Sequence, residues 1–270
     1  MSSVIFSLKS SAIAVAIASG ALSTPLPPDI DSSGIPSVAS GSSDVSFSDF
    51  VDELQGSDSS KNVVAPQGEI AAGIDVSSHQ HMEGPVNWDD VKSGYNDFAF
   101  IKSTEGVAYK NPHNSKDVSK ALSAGLTVGE YHYARPDLND AKSEANHFLS
   151  NMSSKTTLPP VLDIEESNLE PGELVEWIDE WVTTVENSTG QQVMIYTYPN
   201  FWREKTGNST KFSSNPLWIA DYNGKSAPSS PLPGGWDDWA FWQYTGKGSS
   251  EGVAGDVDLN IFNGKISSGD

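Results

Sequence analysis

The chain has 270 residues, with 36 Asp and Glu against 16 Lys and Arg and a formal net charge of −20 at pH 7. That balance excludes a basic patch of the kind that holds nucleic acid or an anionic bilayer, so neither a nucleic-acid nor a membrane partner is expected. The chain contains no cysteine, which removes disulfides, thiolate metal sites and cysteine nucleophiles together.

In chain order, Ala12 to Ala18 form an apolar run followed by the small residues Ser19, Gly20, Ala21 and Ser23. This reads as a secretory signal over 1–23, although Lys9 is its sole basic residue. The run is too short to span a bilayer. Sequons at Asn151, Asn187 and Asn208 agree with a secreted, extracellular glycoprotein. Residues 24–68 are rich in Ser, Asp, Pro and Gly and poor in large apolar side chains, as in a disordered linker or pro-segment. All eight tryptophans lie beyond residue 69, which places the packed domain at 69–270.

From Ile70 onward, short apolar runs alternate with amphipathic ones. Strands are expected at 70–76, 98–103, 127–134, 161–164, 192–198, 217–221, 240–244 and 257–262. The clearest helix is 172–187, with Leu174, Trp177, Ile178, Trp181, Val182 and Val185 on one stripe, Pro171 at its start and Gly190 past its end. Others are expected at 88–93, 112–124, 140–150 behind the N-cap Asp140, and 199–205. Beyond the fifth helix, the connections 222–239 and 245–256 have no apolar stripe. The pattern suggests an α/β barrel of eight strands and about five helices whose last third has lost its helices, with an ordinary open α/β sheet as the alternative. Some of the last strands, lacking helical crossovers, are free to run antiparallel.

The chemistry concentrates at Pro159-Pro160-Val161-Leu162-Asp163-Ile164-Glu165. Two carboxylates spaced two apart at a strand end share one side, and their mutual repulsion favours a proton on one of them. Asp75 lies near the end of the first strand and Asp258 in the last. Closure of the barrel brings these two strands side by side, so four acids converge on one mouth. Tyr131, Tyr133, Tyr196, Tyr198, Trp218, Tyr222, Trp242 and Tyr244 mark the same ends, and an acidic floor with aromatic walls suits a sugar polymer. The competing chemistry is a divalent metal held by these acids with His79, His81 or His132, in a hydrolase or deacetylase. A non-catalytic sugar-binding barrel is the other alternative. No Gly-x-Ser-x-Gly elbow is present.

These residues carry a resemblance. Gly73-Ile74-Asp75-Val76-Ser77, Phe100-Ile101-Lys102-Ser103-Thr104-Glu105-Gly106, Gly129-Glu130-Tyr131-His132-Tyr133 and Leu162-Asp163-Ile164-Glu165 stand in order. Ile195-Tyr196-Thr197, Leu217-Trp218-Ile219-Ala220, Phe241-Trp242-Gln243-Tyr244 and Val257-Asp258-Leu259-Asn260 follow. Over about 70–264 the chain resembles the glycoside hydrolase family 25 lysozymes, the Chalaropsis-type muramidases, and most closely their fungal secreted members. The resemblance implies a modified TIM-like barrel of about eight strands and five helices, (βα)5(β)3, and hydrolysis of the β-1,4 bond between N-acetylmuramic acid and N-acetylglucosamine in bacterial peptidoglycan; a monomer is expected. It places Glu165 as general acid and Asp163, Asp75 and Asp258 as the other active-site acids. Tyr131, Tyr133, Tyr196 and Trp242 fall in its substrate-contacting stretches. No metal or cofactor is implied.

Overall fold

The computed structural model describes residues 71–263. The N-terminal apolar run and the Ser-rich segment at 24–68 lie outside the described residues.

The strands β1 (Ala72–Val76), β2 (Phe98–Glu105), β4 (Thr127–Tyr133), β5 (Val161–Asp163), β6 (Met194–Thr197), β7 (Leu217–Ala220) and β8 (Phe241–Gly248) are parallel neighbours in that order. The last strand, β9 (Val257–Phe262), runs antiparallel between β8 and β1 and closes the barrel. A two-residue strand, β3 (Tyr109–Lys110), folds back on the end of β2 outside the barrel. Five α-helices accompany them: α1 (Trp88–Ser93), α2 (Asn114–Ser123), α3 (Ala141–Leu149), α4 (Pro171–Thr189) and α5 (Pro199–Lys205). Among the described residues, no helix is long and apolar enough to cross a membrane.

Local chemistry explains the helix ends. Pro171 opens α4 where a backbone N–H has no intrahelical partner, and Gly190 ends it at φ 70°, a conformation glycine adopts without strain. The predicted apolar stripe of α4 is buried throughout. Asp140 caps α3 by accepting a bond from the Ser143 N–H at 2.8 Å. The connection 221–240 has no helix, yet β7 and β8 are parallel. Buried Trp236 and Trp239 fill that side of the barrel instead, and the Trp236 indole donates to the Asn215 carbonyl.

The period-two alternation of the strands sorts side chains into two cores. Val161, Phe98, Phe100, Met194, Trp218, Phe241 and Phe262 point inward and form the floor of the barrel. Gly73 and Gly129 leave room for two of these rings: a Cβ on either would lie 2.5 Å from Phe98 or Phe100 ring carbons. Leu162, Ile164, Ile195, Ile219, Trp242 and Ile261 point outward and pack with Trp177, Trp181 and the rest of the helical layer.

Of the boundaries that differ from the sequence expectation, three have a clear local cause. Strand β2 runs two residues further than 98–103, through a bulge between Lys102 and Thr104, and then turns back as β3. Strand β8 continues to Gly248 because its hairpin with β9 extends past the barrel rim, where polar Thr245, Gly246 and Lys247 give no apolar signal. Helix α2 starts at Asn114, after a turn in which the Asn111 side chain accepts the His113 N–H at 3.0 Å.

Candidate active site

The inward alternation that buries the aromatic floor places acids above it. Asp75 is two residues beyond Gly73 on β1, and the β1–β9 register sets it directly opposite Asp258. Asp258 is near the start of β9, but β9 is reversed, so it reaches the same mouth as the ends of the parallel strands. Asp163 closes β5 on the inward side. Ile164 turns outward, its N–H held by the Tyr196 carbonyl at 3.0 Å. Glu165 follows on the mouth side, its own carbonyl accepting from the Tyr198 hydroxyl at 3.3 Å. The structure therefore brings the four predicted acids together.

Their surroundings differ. The Asp75 carboxylate is 5% exposed and accepts from Gln243 Nε2 at 2.7 Å and Asn260 Nδ2 at 2.8 Å. Burial raises its pKa to about 6, held down by those bonds and by one from Asp258. Asp258, with the Asp75 charge facing it, is pushed up to about 9, first by burial and then by that charge. The larger rise at Asp258 favours it as the protonated member of the pair, the donor to Asp75. Asp163 is also 5% exposed, and its Oδ1 has no hydrogen-bond partner. Burial, and then the Glu165 charge, drives its pKa well above the usual aspartate range. Glu165 rises to about 7, chiefly by burial; Lys102 opposes the rise and Asp75 adds to it. The repulsion read from the sequence is real but secondary to desolvation.

Tyr131 and Tyr196 are buried and line the floor beside Trp218. The Tyr196 hydroxyl donates to Gln243 Oε1, as does that of Tyr222, which is 58% exposed at the rim. Tyr133 stands at the wall with Lys102 Nζ 4.6 Å and Arg135 Cζ 4.7 Å from its ring centre. The expectation for Trp242 is corrected. It is 1% exposed, packs in the outer core, and its indole N–H donates to the Asp221 carbonyl at 2.9 Å. Alternation along β8 sends Phe241 and Gln243 inward and Trp242 outward, so Gln243 is the residue this motif contributes to the mouth.

His132 also faces outward. It is fully buried, between Thr104 Oγ1 at 2.8 Å and Glu144 Oε2 at 2.9 Å. His81 pairs with Asp117 at 2.7 Å and stacks on His113. His79 Nδ1 lies 3.1 Å from Ser77 Oγ in the turn after β1. None of the three joins the four acids.

Sequence reasoning did not single out Lys102, Glu105 or Arg135. Lys102 Nζ lies 2.7 Å from Glu105 Oε2, and Arg135 binds Glu105 Oε1 through Nε and Nη2. Arg135 also pairs with Glu166, next to the candidate acid. Two cavities open on either side of Tyr198, and Glu165 lines both. One, of about 470 Å³, is bounded by Arg135, Asp137, Leu138 and Asn168; the other, of about 490 Å³, by Tyr196, Arg203, Asp221 and Tyr222. A carboxyl that lines two adjoining cavities suits a chain molecule that passes through the site and is cut within it.

An α/β barrel with a glutamic acid of raised pKa set among aspartates at its mouth fits a glycoside hydrolase. The chain belongs to Glycosyl hydrolases family 25, whose sequence profile matches residues 74–253. Lysozyme M1 of Streptomyces globisporus is 39% identical over 204 residues, covering 71% of this chain and 67% of that protein. The N,O-diacetylmuramidase of Chalaropsis sp is 33% identical over 205 residues, covering 69% of this chain and 95% of that protein. The crystal structure of the Streptomyces coelicolor lysozyme superimposes with a TM-score of 0.67 at 36% identity, covering 75% of this chain and 95% of that one.

Proposed function

We propose that this protein is a secreted lysozyme that hydrolyses the β-1,4 bond between N-acetylmuramic acid and N-acetylglucosamine in bacterial peptidoglycan. Glu165 is the general acid, and Asp163, Asp75 and Asp258 are its supporting carboxylates. The observation that carries this reading is the contrast at the end of β5. Glu165, raised to about 7, keeps its proton in mildly acid solution, and Asp163 presents a buried oxygen without a partner. The names of the relatives, lysozyme and N,O-diacetylmuramidase, support the substrate. The apolar run at Ala12 to Ala18 supports secretion.

We favour a substrate-assisted route over an aspartate nucleophile, because the unpartnered Asp163 oxygen offers an acceptor for an acetamido N–H. Glu165 gives its proton to the glycosidic oxygen as the bond from that oxygen to C1 breaks. The carbonyl oxygen of the substrate's own 2-acetamido group closes on C1, while the free Asp163 oxygen receives the acetamido N–H and the Asp75 carboxylate, the most readily ionised of the four, balances the positive charge. Glu165, now a carboxylate, takes a proton from water as that water attacks C1 and the acetamido group is released. Two displacements at C1 retain its configuration. The Asp258–Asp75 pair keeps one negative charge on the floor of the mouth throughout.

The test is digestion of purified peptidoglycan, borohydride reduction of the products, and mass analysis of the reduced sugar. Reduced muramic acid is expected at every new end. Reduced glucosamine at those ends would make the enzyme a glucosaminidase, and intact glycan strands would overturn the reading.

A further inference from the structure

Trp218 and Ala220 point inward from β7, and Tyr222, two residues on and past the end of the strand, continues the same series at the rim. It is the most exposed tyrosine of the mouth, yet it is held at both ends. The Trp242 indole N–H donates to the Asp221 carbonyl at 2.9 Å, and the Asp221 N–H donates to the Gln243 carbonyl at 3.1 Å. Those two bonds fix the backbone just before Tyr222. Asp221 Oδ2 accepts from the Ser229 N–H at 2.7 Å and from Asn223 Nδ2 at 3.0 Å, which closes the loop that follows. The Tyr222 hydroxyl itself donates to Oε1 of buried Gln243. At Gly246, β8 passes so close that a Cβ there would lie 3.2 Å from that hydroxyl oxygen.

An exposed side chain ordinarily moves among rotamers, and a ligand that orders it opposes that entropy. At Tyr222 the ordering is complete before any ligand arrives. Gln243 Oε1 also accepts the Tyr196 hydroxyl at 2.8 Å, and Gln243 Nε2 donates to Asp75 at 2.7 Å, so the amide is fixed in orientation and both lone pairs of its oxygen are used. The Tyr222 hydroxyl proton is therefore committed. What the residue offers to the cavity of about 490 Å³ beside Glu165 is a ring held still. The electron-rich face of such a ring attracts the C–H face of a pyranose. We propose that Tyr222 is a substrate-binding residue: its ring is a rigid platform on which one sugar of the glycan strand stacks, holding the strand on that side of Glu165. This proposal rests on the peptidoglycan reading above.

The experiment measures calorimetric binding of soluble four-sugar peptidoglycan strands to Glu165→Gln, which does not cut them, with and without a second change at Tyr222. Tyr222→Phe and Tyr222→Trp keep a flat ring, Tyr222→Leu keeps apolar bulk without one, and Tyr222→Ala removes both. The Leu and Ala variants should bind about tenfold more weakly than the Glu165→Gln parent, and the Phe and Trp variants should stay within about threefold of it. Thermal melting is measured beside each titration, because a merely structural role would make affinity follow melting temperature and not ring shape. A Leu variant that binds as the parent does, or Phe and Trp variants as weak as the Ala one, overturns the proposal. If the Ala variant does not fold, Leu against Phe is read with the same outcomes. A parent that binds no strand also overturns it. Strands that bind through Tyr222 and are left intact by the wild-type enzyme sink the lysozyme reading and keep this one.

Discussion

Glu165→Gln is expected to lower peptidoglycan hydrolysis by about 10³-fold while leaving the fold intact. The amide matches the shape of the protonated carboxyl but has no proton acidic enough to give to a leaving oxygen. Stability should not fall, because the wild-type residue is already neutral below about 7 and its side chain holds no ion pair. Turbidity clearing and thermal melting, measured on the same preparation, check both halves. A variant that keeps a tenth of wild-type activity removes Glu165 from the acid role.

The second large effect is expected at Asp258→Asn, and it is a gain in stability. The folded-state pKa of Asp258 is raised from its ordinary 3.8 to about 9. A carboxyl raised in this way contributes stability that is whole below the unfolded value and is lost as pH climbs through the folded one. Wild type therefore becomes less stable between about pH 4 and 9 through this group, as solvent draws off a proton that the mouth holds. Asparagine keeps the donor to Asp75 and has nothing to ionise. At pH 4 the two proteins should melt together; at pH 8 the variant should melt at least several degrees higher. Because Asp258 acts here as a donor, the variant should also retain at least a tenth of wild-type activity at mildly acid pH. A variant less stable than wild type at pH 8 would show that Asp258 is held as an anion.

Strand alternation explains what the sequence revealed and what it hid. The eight barrel strands, the five helices and the convergence of Asp75, Asp163, Glu165 and Asp258 were legible because each rests on a local apolar run and a fixed period. The same period, applied to Phe241-Trp242-Gln243, separates Trp242 from the mouth once Phe241 is known to point inward. Nothing in that triplet says which of its two faces is the interior, and the answer comes from pairing with β9, where Gln243 faces Asn260. The Lys102–Glu105–Arg135–Glu166 chain was hidden for a different reason. It joins β2, the loop after β4 and the loop after β5, segments that become neighbours only when the barrel closes. The rise in the Glu165 pKa was foreseen in direction, but its main cause was not. Charge repulsion can be read from spacing, whereas desolvation depends on how deep the mouth is.

The most direct test of the account is the pH dependence of kcat/KM on a short, soluble muropeptide, which carries little of the charge of the whole wall. Glu165 must be protonated, so activity should fall as pH rises through about 7. Asp75 has the lowest of the values raised among its acidic neighbours and supplies the anion, so activity should also fall as pH drops through about 6. The predicted profile is a narrow bell between those limbs, insensitive to added salt. A profile that is flat from pH 5 to 9, or one that peaks above pH 8, would contradict the claim that buried carboxyls at this mouth supply the acid.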